Sequence, residues 1–158
     1  MRMFYIFNLK KEIKELYSKS PSDLFRVLNN IYYMHEEDAN YGFNILNQII
    51  NKNDINDLNK NIFVDMHKEC VYTKNKNEHI INDLYNNEVS ILKIKKSHLV
   101  LQSNISYSSF FKLLLKYSDC YFVCDFLEKD FFFITSINKL VKECIIVNDV
   151  IPKNQKKY

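Results

Sequence analysis

The sequence predicts an α+β fold: a single domain whose largely antiparallel sheet of about five strands is packed by helices. Three observations carry the prediction. Ser108 to Ser136 concentrates seven Phe and two Tyr. At roughly 25 cal/mol per Å², with on the order of 150–250 Å² buried per ring, this stretch must be core. Its periodicity also changes partway. Phe110, Phe111, Leu114 and Leu115 recur at helical spacing, whereas 120–126 and 130–135 are short apolar runs of strand type. Finally, amphipathic helical patterns crowd the first half of the chain, and a hairpin pattern follows at 88–103.

In chain order, Met3 to Leu9 (MFYIFNL) is an apolar run too short for a helix and reads as a buried first strand. Residues 10–19 place Ile13, Leu16 and Tyr17 at i, i+3, i+4 among charges, a short helix with a narrow stripe. Ser20-Pro21-Ser22-Asp23 supplies an N-cap, Pro at the first helical position and an acid in the first turn, so a second helix starts there and runs to about 35. Glu36-Glu37-Asp38 opens a third helix, to about 52. Gly42 inside it costs about 1 kcal/mol relative to Ala, which a close helix approach explains. Asn53-Asp54 caps a fourth, to about 68.

Residues 70–78 are polar and read as loop, and 79–86 are left open. Residues 88–95 and 98–103 form a hairpin about Lys96-Ser97. A helix at 107–117 and strands at 120–126 and 130–135 follow, joined at Leu127-Glu128-Lys129. Asp125 ends the first of those strands or caps the turn after it. Residues 139–150 are an apolar tail that packs on the sheet.

Composition narrows function. At 158 residues the chain buries a proper core without staples. Its four cysteines, Cys70, Cys120, Cys124 and Cys144, read as reduced, buried thiols of a cytoplasmic protein. On a strand, Cys120 and Cys124 stand about 13 Å apart, too far to bridge. His67 and Cys70 are three apart, but no second pair follows, so no metal and no cofactor is expected. A single Gly leaves no phosphate loop. No apolar run reaches the ~20 residues that span a bilayer, so no membrane partner is expected. A net charge of +3, dispersed, is a weak nucleic-acid signal. Nothing in the residue chemistry marks a reaction centre.

Two stretches resemble the family of the sporulation inhibitor of replication, SirA. They are FYIFNLKKE at Phe4 to Glu12 and SFFKLLLKYSDCYFVCDF at Ser109 to Phe126, with Gln48-Ile49 between them. Element order agrees along the chain, while about 53–85 departs from the pattern. The resemblance implies a non-enzymatic, monomeric protein that binds the N-terminal domain of the replication initiator DnaA and stops initiation during sporulation. It also implies that the first helix and a neighbouring helical surface make the contact. On this chain those positions are Ile13 and Tyr17, an i, i+4 pair, with Gln48 and Asn51. Asn51 is polar where an apolar anchor would be stronger. The alternative is a small nucleic-acid-binding domain, with Tyr and Phe interleaved with Lys stacking on single strands.

Overall fold

The computed structural model describes residues 1–149. Its sheet has seven strands in the order β2-β3-β4-β5-β1-β6-β7, every neighbouring pair antiparallel. The strands are β1 (Arg2–Asn8), β2 (Tyr72–Asn75), β3 (Glu78–Asp83), β4 (Glu88–Ile94), β5 (Leu99–Ser103), β6 (Tyr121–Asp125) and β7 (Asp130–Phe133). The helices are α1 (Lys11–Tyr17), α2 (Pro21–Tyr32), α3 (Ala39–Ile49), α4 (Ile55–Met66), α5 (Ser109–Leu115) and α6 (Ile137–Asp149). The α+β class holds, with seven strands in place of about five.

Both faces of the sheet carry a core. On one, Phe4, Ile6, Leu92, Leu99, Leu101 and Val123 meet Ile62 of α4, Phe110, Phe111 and Leu114 of α5, and Ile137 of α6. On the other, Phe7, Phe122, Cys124 and Phe126 meet Leu24, Phe25 and Leu28 of α2 and Leu46 and Ile49 of α3. Alternation along β6 therefore buries both sides, and the aromatic block forms the partition between the two cores. The second core takes no residue from β2 to β5. The α2–α3 layer covers only the β1–β6–β7 half of its face, and Met3, Ile91 and Val100 stay half-buried beside it.

Gly42 is where α3 meets α2. A Cβ there would stand 2.8 Å from Met34 Sδ and 3.5 Å from Ile31 Cγ2, which bears out the close approach. Asp125 accepts the amide protons of Leu127 (3.1 Å) and Glu128 (3.0 Å), so it caps the turn after β6.

Several expectations are corrected. Residues 72–83 form the β2–β3 hairpin where 70–78 read as loop. Beside the buried Ile81, its inward-facing Tyr72 and His79 join Asn59 of α4 in a polar trio: His79 Nε2–H donates to Asn59 Oδ1, and Tyr72 Oη–H donates to His79 Nδ1, both at 2.7 Å. Of the cysteines only Cys124 is buried. Cys120 is half-buried, and Cys70, between α4 and β2, and Cys144, on the outer side of α6, are exposed. Ser20 stands at the N-cap of α2, yet its hydroxyl makes no capping bond. The third helix begins as a single 3-10 turn (Glu36–Asp38) and ends at Ile49, short of 52. Leu16 leaves the stripe of α1 and is 69% exposed. The apolar tail is α6, whose Ile137, Leu140 and Val141 pack on the core. Position 150 lies outside the described residues.

Two histidines tie this packing to pH. Burial, helped by Lys74 near one and Lys95 near the other, lowers His79 and His98 each to about 4. An unfolded chain protonates its histidines near 6.5, so between about 6.5 and 4 the unfolded state holds more protons than the folded one. The contribution is therefore fully present above 6.5 and declines as pH falls toward 4. Allowing for residual solvent contact, urea unfolding should show a loss of roughly 2 kcal/mol between pH 7 and pH 5, and His98→Phe should remove about half of it.

Candidate functional site

The edge on which the sequence placed its four positions is built where β1 ends. Leu9 bridges Ile50, Lys10 N–H donates to Ile49 C=O (2.9 Å), and Asn51 N–H donates to Asn8 C=O (2.8 Å). These bonds fasten the end of α3 to the strand that feeds α1. Asn51 Nδ2 adds a bond to Leu9 C=O at 3.4 Å, so its polar side chain serves this joint.

Ile13 and Tyr17 are half-buried and rest on the second core through one side of α1. Gln48 and Asn51 are exposed. Gln48 makes no side-chain hydrogen bond among the described residues. The edge thus joins Asn51 to the start of α1 and leaves Gln48 standing free on α3. Sequence reading missed Leu16 as a surface residue. The seven-residue α1 has no fully buried side chain, so two contacts suffice to hold it and the third apolar residue turns outward.

Along the other flank of α1 runs a hollow of about 510 Å³ lined by Lys11, Lys14, Glu15, Ser18, Asp119 and Cys120. Lys14 Nζ pairs with Asp119 at 3.1 Å, and this bond is the main reason the Asp119 carboxyl titrates below its usual range. Burial raises the Cys120 thiol, and its Sγ–H donates to Asp119 Oδ1 at 3.4 Å. Burial pushes Cys124 well up also. Both thiols therefore stay protonated at neutral pH, the opposite of an activated nucleophile. No hydrogen bond joins a histidine to a cysteine among the described residues. Nor do those residues contain a group of three or more His, Cys, Asp or Glu able to hold a metal.

Within the aromatic block Phe122 is fully buried and Phe132 is 8% exposed, while Tyr41 and Phe43 of α3 and Tyr85 of the β3–β4 turn stand in solvent. What the edge offers is Leu16 in solvent beside the half-covered Ile13 and Tyr17, ringed by charged residues of α1. The family model described as sporulation inhibitor of replication protein SirA matches residues 2–138. The chain belongs to the SirA family. The match runs from β1 into the start of α6, so it takes in 53–85, where the motif resemblance is weakest. The family's description is that of a regulatory protein, an inhibitor of replication linked to sporulation. Comparison with curated proteins finds no match. No helix among the described residues is long and apolar enough to cross a membrane.

Proposed function

We propose that this protein, as one SirA-like domain, is a non-enzymatic, cytoplasmic inhibitor of replication initiation that acts during sporulation by binding the N-terminal domain of DnaA. It works as a monomer and takes no cofactor. Ile13 and Tyr17 of α1, with Gln48 and Asn51 at the end of α3, form the contact, and Leu16 joins them. The observation that carries this reading is an apolar helix edge, open to solvent at Leu16, on a chain of the SirA family. Tyr suits such an anchor because it brings a large contact area with little conformational entropy to lose.

The test is calorimetric titration with the N-terminal domain of DnaA. A one-to-one complex is expected, weakened by about 2 kcal/mol or more, roughly 30-fold, in Tyr17→Ala. Tyr17 also packs on the core, so Leu16→Glu is the cleaner probe. Its side chain is already in water, and the variant should lose binding at least tenfold with an unchanged melting temperature. Absence of a complex with the wild-type chain overturns the reading. Binding to oligonucleotides with a steep salt slope would replace it by the nucleic-acid alternative.

A further inference from the structure

Between α2, α3 and the sheet lies a slot of about 190 Å³ that the proposed partner contact does not use. Its walls include Tyr5, Phe7, Tyr32, His98, Phe126 and Leu46. α3 turns Leu46 toward this slot, whereas Gln48, about 200° further round the helix, faces solvent. The rings brace one another. Tyr32 stacks on Phe126 at 4.4 Å, Tyr5 stands 5.2 Å from Phe126, and His98 lies 5.7 Å from both Tyr5 and Phe7. Walls held this way need little reordering when a ligand enters.

The slot is larger than the engineered apolar cavity of about 150 Å³ that binds benzene. No charged side chain lines it, so an ion would give up its hydration there without compensation. Its polarity is confined to a few atoms. The Tyr5 and Tyr32 hydroxyls share one hydrogen bond of 3.1 Å, which leaves one of the two O–H protons free. His98 Nδ1 is taken by Ser97 Oγ at 2.7 Å, while Nε2 has no protein partner among the described residues. We propose that this slot binds one neutral planar ring carrying a single hydrogen-bonding group, of indole or phenol type. The ring enters among the aromatic walls, and its polar atom meets His98 Nε2 or the free tyrosine hydroxyl. The low pKa of His98 keeps that imidazole neutral, in keeping with an uncharged guest.

The chain contains no Trp, so indole excited beyond the tyrosine absorption edge reports on the ligand alone. With the full chain in excess, indole emission should shift to shorter wavelength and its anisotropy should rise, with Kd on the order of 0.1–1 mM. Ile31→Phe fills the slot from α2 and Ser97→Phe plugs it from the β4–β5 turn. Each should weaken binding tenfold or more, and thermal unfolding shows which variants remain folded. N-acetyl-tryptophanamide, whose ring is borne on a peptide-like unit, is the second arm. Binding of free indole alone supports a small-molecule guest, and binding of both supports an aromatic side chain of another protein. If neither binds, or if folded filling variants bind indole as the wild type does, the proposal is overturned. DnaA-fragment binding at the α1 edge should persist in both variants, so the two readings fail separately.

Discussion

Arg2→Leu is expected to destabilise the protein by about 3–5 kcal/mol, because it strands a buried carboxylate. Asp125 is 1% exposed, and Arg2 Nε reaches its Oδ2 at 2.9 Å. Arg2 Nη2 reaches Asp130 Oδ2 at the same distance, and Nη1 donates to Ser106 Oγ at 3.2 Å. Asp125 and Asp130 are paired across β6 and β7, so the guanidinium lies between two carboxylates that would otherwise face each other. Removing it leaves one negative charge buried and a second beside it. The other Asp125 oxygen keeps its two amide donors at the turn, which holds the expected loss within the range for a broken buried pair. Urea unfolding measures it, and Asp125→Asn in the Arg2→Leu background should restore part of the loss. A loss below about 1 kcal/mol would mean that the turn amides satisfy Asp125 unaided.

β4, β5 and α5 were legible because their apolar residues keep a strict period, as in EVSILKI and SFFKLLL, and β1, β6 and β7 because they are short, continuous apolar runs such as YFVCD. The β2–β3 hairpin was not, for two physical reasons. Its buried His79 is balanced by a hydrogen bond to Asn59 of α4 and looks hydrophilic in a linear reading. Its turn also lacks the glycine that normally announces a hairpin. Lys76, Asn87 and Lys129 take the left-handed conformation instead, with φ of 52°, 52° and 53°, at the three tight turns β2–β3, β3–β4 and β6–β7. An ordinary lysine in that conformation gives no compositional signal.

The candidate edge was legible only through resemblance, since the matching motifs are packing motifs. FYIFNLKKE marks β1 and the start of α1, and its position fixes where α1 can stand. Which of the three apolar residues of α1 faces water is set by the joint at Leu9, Ile50 and Asn51, a contact between segments about 40 residues apart. The aromatic slot was illegible for the same reason, as Tyr5, Tyr32, His98 and Phe126 come from four separate elements or turns.

Glu88→Ala should cost about 3 kcal/mol, because one carboxylate organises the start of α5. Glu88 opens β4 at 2% exposure and forms no salt bridge among the described residues. Its Oε1 accepts from Ser90 Oγ and Ser108 Oγ at 2.7 Å and from Ser109 N at 2.9 Å, and Oε2 accepts from Ser109 Oγ at 2.6 Å. Ser103, opposite Ser90 in the β4–β5 register, joins the network at 2.9 Å, and Ser108 caps α5 by accepting from Phe110 N at 3.2 Å. The network therefore anchors the turn whose next residues, Phe110 and Phe111, fill the first core. Alanine removes the common acceptor of the buried Ser90 and Ser108 hydroxyls, while the amide and hydroxyl of the exposed Ser109 turn to water. Each buried hydroxyl carries a desolvation cost, and bonds to an ionised acceptor are the stronger kind. Glu88→Gln keeps one carbonyl oxygen in place, and its amide can donate to Ser109 Oγ, so its loss should be nearer 1–2 kcal/mol. Urea unfolding gives the two magnitudes. Hydrogen exchange of the Phe110 to Leu114 amides should quicken in the alanine variant before the exchange of β1 and β6 does. Equal losses in the two variants would show that the side chain acts by filling space and that its charge is incidental.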